Sequence, residues 1–324
     1  MSGLPRWSAG RLARPAGGLP RWLVRRLAGA LLVLFGAATL AFASLELIPG
    51  DPARAVVGSA PATPEVLAAI RADLGLDRSL PERYFAYLGR LLHGDLGQSY
   101  QLQQPVGRII GEQLAPTAQL ALAAGVLAVA AAVLVATATA GRWPVLRILS
   151  QGLELVAVST PTFWLGLVLL TVFSFGLHWF PVAGGTGTAG LVLPAVTLAL
   201  PIAGELTQVL RRSTEEALTQ PFVLTARARG VREGVVRLRH VLRHALVPLV
   251  TMTGWTLGSL LGGAVVVETV FARPGLGRVT LAAVTGRDFP VVTAVVLLSA
   301  VVFVVLNTAV DLLYRVIDPR LEAR

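Results

Sequence analysis

The side chains best placed to do chemistry in this chain are charges standing where charge is expensive. Glu154, Glu205, Glu268 and Asp311 lie within or at the ends of long apolar stretches. A carboxylate in that setting marks a transport path, a proton relay or a paired structural site. Glu205 follows Pro201 and Gly204, so it is expected at a kink facing a cavity. Glu268 and Asp311, near the ends of their stretches, are expected to pair with arginine or reach the interface. A second concentration is cationic: eight of the 28 basic residues lie between Arg211 and Arg243. His240 and His244 stand four apart on one helix face. With no third ligand nearby and no H-E-x-x-H pattern, no metal site is expected. No catalytic residue is expected either.

What is missing from the composition is as informative. All 28 basic residues are arginine, and lysine is absent. A P-loop needs the lysine of G-x-x-x-x-G-K-[ST] to reach nucleotide phosphates. If ATP and magnesium drive this protein, a different polypeptide must bind them, and this chain is expected to hold no cofactor. Zero cysteines exclude disulfides, thiolate zinc sites and thiol chemistry. A net charge of +10 raises the question of nucleic acid, but Phe222 is the one aromatic residue interleaved with the arginines of that basic stretch. A nucleic-acid partner is therefore not expected.

The elements that must position these charges are membrane helices. Hydrophobic residues make up 54% of the chain and charged ones 14%, with mean hydropathy +0.70. A soluble domain carries about 25% charged residues. Apolar runs of roughly 20 residues are what a helix needs to cross hydrocarbon. Six are drawn: 23–48, 116–140, 148–177, 191–210, 245–271 and 291–317. The fold class expected is an all-α membrane protein of six transmembrane helices. Met1–Arg26 reads as a basic cytoplasmic tail running into the first span rather than a cleavable signal. On a model with both termini cytoplasmic, nineteen of the 28 arginines fall on cytoplasmic segments and nine outside, as the positive-inside rule demands.

The outer segment 49–115 is expected to be a small helical insert. Thr63-Pro64 reads as a helix start, Gly75 as its stop, and Ser79-Leu80-Pro81-Glu82 as a capping box opening a second helix. Its apolar face is drawn as Tyr84, Phe85, Leu88, Leu91 and Leu92, a lid on the membrane domain. The division that follows is a tail at 1–22, a first helix at 23–48, the insert at 49–115, a core at 116–313 and a cytoplasmic tail at 314–324.

The cytoplasmic segment 211–247 carries the most information. It runs Glu215-Glu216-Ala217-Leu218-Thr219-Gln220-Pro221-Phe222, then Val223-Leu224-Thr225-Ala226-Arg227-Ala228-Arg229-Gly230, and ends His244-Ala245-Leu246-Val247-Pro248. From Val235 the apolar residues at 235, 238, 241, 242 and 246 form a helical stripe. Before it, Gly230 can end a short helix of small residues shaped to enter a partner's groove. A solvated basic loop obeying the positive-inside rule would look much the same by composition.

The ordered motifs go further. Thr-Ala-Arg-Ala-Arg-Gly at 225–230, followed by Arg-His-Val-Leu-Arg-His-Ala-Leu-Val-Pro at 239–248, resembles the EAA loop of bacterial dipeptide/oligopeptide (peptide/nickel-type) ABC-importer permeases. The likeness extends to Leu47-Ile48-Pro49-Gly50-Asp51-Pro52, Leu74-Gly75-Leu76-Asp77, His93-Gly94-Asp95-Leu96-Gly97 and Pro161-Thr162-Phe163-Trp164-Leu165-Gly166. It continues through 263–271 with Pro274-Gly275-Leu276-Gly277, and closes on 310–320. Leu224 stands at the acidic position of the general consensus and the closing proline is displaced, both usual in the peptide subfamily. The resemblance implies a type-I ABC-importer permease fold with an extracytoplasmic insert. It also implies an ATPase-coupling helix at Thr225, Ala226, Arg227, Ala228, Arg229 and Gly230. The partners it implies are a second homologous permease subunit, two ABC ATPase subunits that use ATP and magnesium, an extracytoplasmic solute-binding protein and membrane lipid. It places the protein in the inner membrane, importing dipeptides or oligopeptides. Nickel chelates and glutathione-like solutes are the alternatives within the class.

Further candidates sit in span five. Gly254, Gly258 and Gly262 recur every four residues and allow a close helix approach. Thr253, Thr256, Ser259 and Glu268 are the candidates for polar groups along the solute path. The rival from another class is a secondary transporter with a carboxylate proton relay. No inverted repeat of the kind such transporters carry is found, and the eight-arginine segment would go unexplained.

Overall fold

The computed structural model describes residues 18–47, 52–57, 63–73, 75–141, 143–185 and 187–317. Among these the chain is helical, with one isolated antiparallel bridge between Gln98 and Pro105 and no strand. The helices are α1 (Gly18–Leu47), α2 (Pro52–Val57), α3 (Pro64–Asp73), α4 (Leu80–Leu92), α5 (Val106–Thr139), α6 (Pro144–Ser159), α7 (Thr162–Leu169), α8 (Ala189–Leu218), α9 (Pro221–Ala228), α10 (Glu233–Val235), α11 (Leu242–Val270), α12 (Leu276–Thr285) and α13 (Phe289–Ile317). A π-helical turn, Leu170–Gly176, extends α7, and another, Val236–Val241, joins α10 to α11.

The core is built on α5 and α8. Along α5, Leu120, Ala124, Ala128, Ala132 and Ala136 recur every four residues, all fully buried. Residues four apart share a helix face, and methyl side chains let a neighbouring helix approach closely in an apolar medium. Leu198, Ala199, Ala203, Leu206 and Leu210 of α8 pack against this row, and Ala245, Leu249, Leu260, Ala264 and Val267 of α11 close the cluster. Outside it, large apolar side chains such as Leu122, Leu134, Ile148 and Leu153 are exposed. Helices apolar on every face suit lipid rather than water.

Four described helices are long and apolar enough to cross a membrane: Val24–Ser44 within α1, α5, α8 and Phe289–Leu312 within α13. The span drawn at 148–177 is not one helix. It is α6 and α7, meeting at a 109° bend. Thr160 at the joint is extended, at φ −86° and ψ 126°, because the proline ring of Pro161 clashes with an α-conformation in the residue before it. The second span also departs from expectation. Pro116 lies inside α5, which begins ten residues earlier at Val106. The helix therefore runs out of the apolar stretch into the segment assigned to the insert.

The insert matches its cap signals and corrects its face. Ser79 N donates to Glu82 Oε2 at 3.1 Å, the reciprocal half of the capping box. Gly75 follows α3 at φ +65°. Toward α1, Tyr84 shares a 2.7 Å hydrogen bond with Thr39 and Tyr87 stacks on Phe42 at 5.6 Å. Arg83 pairs with Glu46. Phe85 and Leu92 point outward instead, since Tyr84, Tyr87 and Leu91 follow the 3.6-residue period and those two fall off it. Burial pushes the Tyr87 hydroxyl up to about 12, with the neighbouring Tyr84 adding to it. At the other end of α1, Arg26 holds Asp311 of α13 at 2.8 Å, as expected for an acid near a span end.

Candidate coupling site and membrane cleft

Segment 219–237 folds into a compact corner. Gln220 is extended and Pro221 opens α9 at its first position, where its missing N–H costs nothing. Val223 and Ala226 pack inward against Ala217, Val236 and Val241. The Phe222 ring lies 4.8 Å from the ring of His244. The helix ends in a Schellman motif: Val231 N donates to Ala226 O at 3.2 Å and Gly230 N to Arg227 O at 2.9 Å. Gly230 takes φ +75°, and a Cβ there would meet nothing within 4 Å. The residue is required for its backbone angle, not for space.

The expected coupling residues divide by face. Ala226 is buried, while Thr225, Arg227, Ala228, Arg229 and Gly230 are exposed, and Leu224 beside them is 66% exposed. An apolar Leu224 with small neighbours turned outward is a surface suited to a groove. Behind it, Glu233 accepts from both Arg227 Nε and Nη2, at 3.0 and 2.9 Å, and from Arg237 Nε at 3.1 Å. These hydrogen bonds, Arg227's first, hold the Glu233 carboxyl below the usual carboxylate range. The stripe expected from Val235 is displaced: Val235 and Leu238 are exposed, and Val236, Arg237 and Val241 are buried. The π turn sets residues five apart on one face, so a 3.6-residue period misses it. His240 and His244 form no metal cluster, and no group of three potential ligands occurs among the described residues.

Above this corner, Glu154 and Arg211 form a buried ion pair. Arg211 also donates to Ser150 Oγ at 2.8 Å and to Thr139 Oγ1 at 3.4 Å. One turn nearer the corner, Arg147 pairs with Glu215 at 3.1 Å. Glu154 stood out in the sequence as a charge in an apolar run. Its partner did not, because Arg211 is 57 residues away and read as one of eight loop arginines. Glu205 is exposed on α8.

At the opposite end of α11, Glu268 is fully buried. It accepts from Thr117 Oγ1 at 2.6 Å, Gly277 N at 2.7 Å and Arg278 N at 3.2 Å. Thr117 Oγ1 in turn accepts from Leu276 N at 2.8 Å. The carboxylate thus satisfies the free N–H groups that open α12. A Cβ at Gly275 would overlap that carboxylate, and one at Gly277 the backbone of Val265. Nearby, Asp288 is buried and accepts from Ser99 Oγ, from Tyr100 N at 3.1 Å and from Gln101 N at 3.2 Å. That node, unmarked in the sequence, ties the end of the insert to the turn before α13.

The span-five candidates are not gathered into one site. Thr253 and Thr256 hydroxyls donate to the backbone of their own helix, at Leu249 O and Met252 O. The Ser259 side chain lies outside those described. A Cβ on Gly254 would press on Val310 of α13, one on Gly258 would touch Phe303, and one on Gly262 would meet nothing within 4 Å. Gly258 and Gly262 instead floor a cleft of about 460 Å³ with Thr117, Gly277, Ser299 and Phe303 around it.

Long helices with exposed apolar faces, and a short capped helix at one corner beside them, define the class: a helical protein that crosses the membrane several times. The family model for the inner membrane component of binding-protein-dependent transport systems matches residues 128–323, and the model for the N-terminal part of such components matches 19–121. The glutathione transport system permease protein GsiC of Escherichia coli K12 is 38% identical over 299 residues, covering 91% of this chain and 97% of that protein. GsiC of Salmonella typhimurium LT2 is similar to the same extent. Two crystal forms of the MetNI methionine ABC transporter in inward-facing conformations share the fold. Their TM-scores are 0.51 and 0.50, at 17% and 19% identity, over 65% and 66% of this chain and 96% of each of theirs. The chain belongs to the family of binding-protein-dependent transport system inner membrane components: it is an ABC-importer permease, of a kind that works with ATPase and solute-binding partners.

Proposed function

We propose that this permease is one of two homologous subunits of a type-I importer, with six spans, both termini cytoplasmic and the insert outside. Two ATPase subunits use ATP and magnesium, and the α9 surface at Leu224–Gly230 receives their movement. The single observation that carries this reading is α9 itself: a capped helix with a buried Ala226 and an exposed Leu224 and Ala228, on a chain without lysine. The solute class is short peptides. Glutathione, the cargo named for relatives 38% identical, is the first to assay. A proton relay finds little support, since Glu154 is ion-paired and all its fellow Glu268's contacts are satisfied by donors of this chain.

The test is reconstitution with the second permease, the ATPases and the binding protein. ATP-dependent uptake of a dipeptide or of glutathione is expected, with no ATP hydrolysis by this chain alone. Hydrolysis by the single purified chain, or uptake driven by a proton gradient without ATPases, would sink the assignment. Single Ser2→Cys, Ser79→Cys and Ala323→Cys variants report topology. In intact cells an impermeant reagent should label position 79 only.

A further inference from the structure

The coupling helix and the membrane helices are joined by more than the chain between them. From α9, Arg227 holds Glu233 and Glu233 holds Arg237. Arg237, buried, donates through Nη1 to Ala140 O at 2.5 Å, a carbonyl at the C-terminal end of α5 where a cation is favoured. The adjoining residue, Thr139, accepts from Arg211, which pairs with Glu154 of α6 and also bonds Ser150. Polar contacts, bridged once by the backbone between Ala140 and Thr139, therefore run from the exposed coupling helix to α5, α6 and α8.

We propose that Glu233, Arg237, Arg211 and Glu154 are positioning residues that make α9 and the inner ends of α5, α6 and α8 move as one body. Apolar helix faces can slide past each other at small cost. A buried, directional charge pair cannot, because no water is at hand to replace the lost partner. Arg211 lies seven residues before the end of α8, about 10 Å along the helix axis, so a push on α9 reaches it through a short rigid rod. The Glu154 contact passes that push to α6. The rigid body ends at the extended Thr160 and its 109° bend, where φ and ψ can change without breaking a helix.

This inference rests on the coupling role of α9, and the test separates the two. In the complete reconstituted importer, solute transported per ATP is measured for Glu154→Gln, for Glu233→Gln and for Ala228→Glu. Glu233 lies at the surface corner, so its variant keeps the question answerable if Glu154→Gln fails to fold. Both glutamine variants should lower the ratio tenfold or more with the ATPase still co-purifying. The exchange Glu154→Arg with Arg211→Glu should recover part of the loss. A purely structural role would lower uptake and ATPase activity together and leave the ratio at the parent value. That outcome in both glutamine variants overturns the tie. If Ala228→Glu also keeps the parent ratio, the coupling role of α9 falls with it; if Ala228→Glu uncouples alone, only the tie is lost.

Discussion

Removing the Glu268 carboxylate should unseat α12 before it touches transport. In Glu268→Ala the donors Thr117 Oγ1, Gly277 N and Arg278 N lose their acceptor. The Arg278 N–H is only part-buried and can be reached by water, whereas Thr117 and Gly277 are buried. Each buried unsatisfied donor costs roughly 1–3 kcal/mol, so the pair sets a loss of roughly 2–6 kcal/mol. Loss of a negative charge at the start of α12 adds about 0.3–1 kcal/mol. Glu268→Gln keeps the shape and one acceptor oxygen but turns an amide N–H₂ toward a donor, so about half the loss is expected. At about 2–4 °C per kcal/mol for a chain of this size, the alanine variant should melt several degrees below the parent in detergent, with glutamine between them. Thermal unfolding followed by monodisperse elution reads this directly. A carboxylate that served solute instead would give the reverse: an unchanged midpoint and weaker solute binding in Glu268→Gln. That result would refute the capping role.

Three further outcomes follow from the same geometry. Gly230→Val should weaken the Schellman end of α9 by about 1–2 kcal/mol through its left-handed backbone angle, while Gly230→Asn is tolerated. Equal hydrogen-exchange protection of the Gly230 and Val231 amides in the two variants would remove the backbone explanation. The Glu233 contribution has a folded pKa below the unfolded one, so it is present above the ordinary carboxylate value of about 4.3 and lost as pH falls through the folded value. Exchange protection of 221–237 should hold from pH 7 to pH 5 and fail only in stronger acid, and failure between pH 6 and 5 would contradict the Arg227 pairing. Ultraviolet titration should show a tyrosine ionising near pH 12 that disappears in Tyr87→Phe; no loss of that step would mean α4 is not packed on α1 as described.

The legible features were those written in local patterns. Ser79 and Glu82 are three apart, and their cap formed as read; Gly230 sits where the local hydrogen bonds of α9 need a left-handed residue. Apolar runs located the long helices, because length and hydropathy are enough for that. Their ends were less visible. Pro116 looked like a beginning, yet the helix passes through it, and Pro161 looked like one residue of a span, yet it divides α6 from α7. The polar partnerships were illegible for a different reason. Glu154 with Arg211, Glu268 with Thr117 and Asp288 with Ser99 join residues 57, 151 and 189 positions apart. No periodicity records such pairs; the one available signal was that a carboxylate in hydrocarbon must have a partner.

The account turns on α9 receiving the ATPase's movement, and the absence of cysteine makes that directly measurable. Ala228→Cys in the assembled importer, treated with a short bifunctional thiol-to-amine reagent, should capture the ATPase subunit, with a yield that changes when ATP and magnesium bind. Ser79→Cys, on the insert, should capture none. If the ATPase were captured from position 79, or if an impermeant reagent reached position 228 in intact cells, α9 could not be the coupling helix.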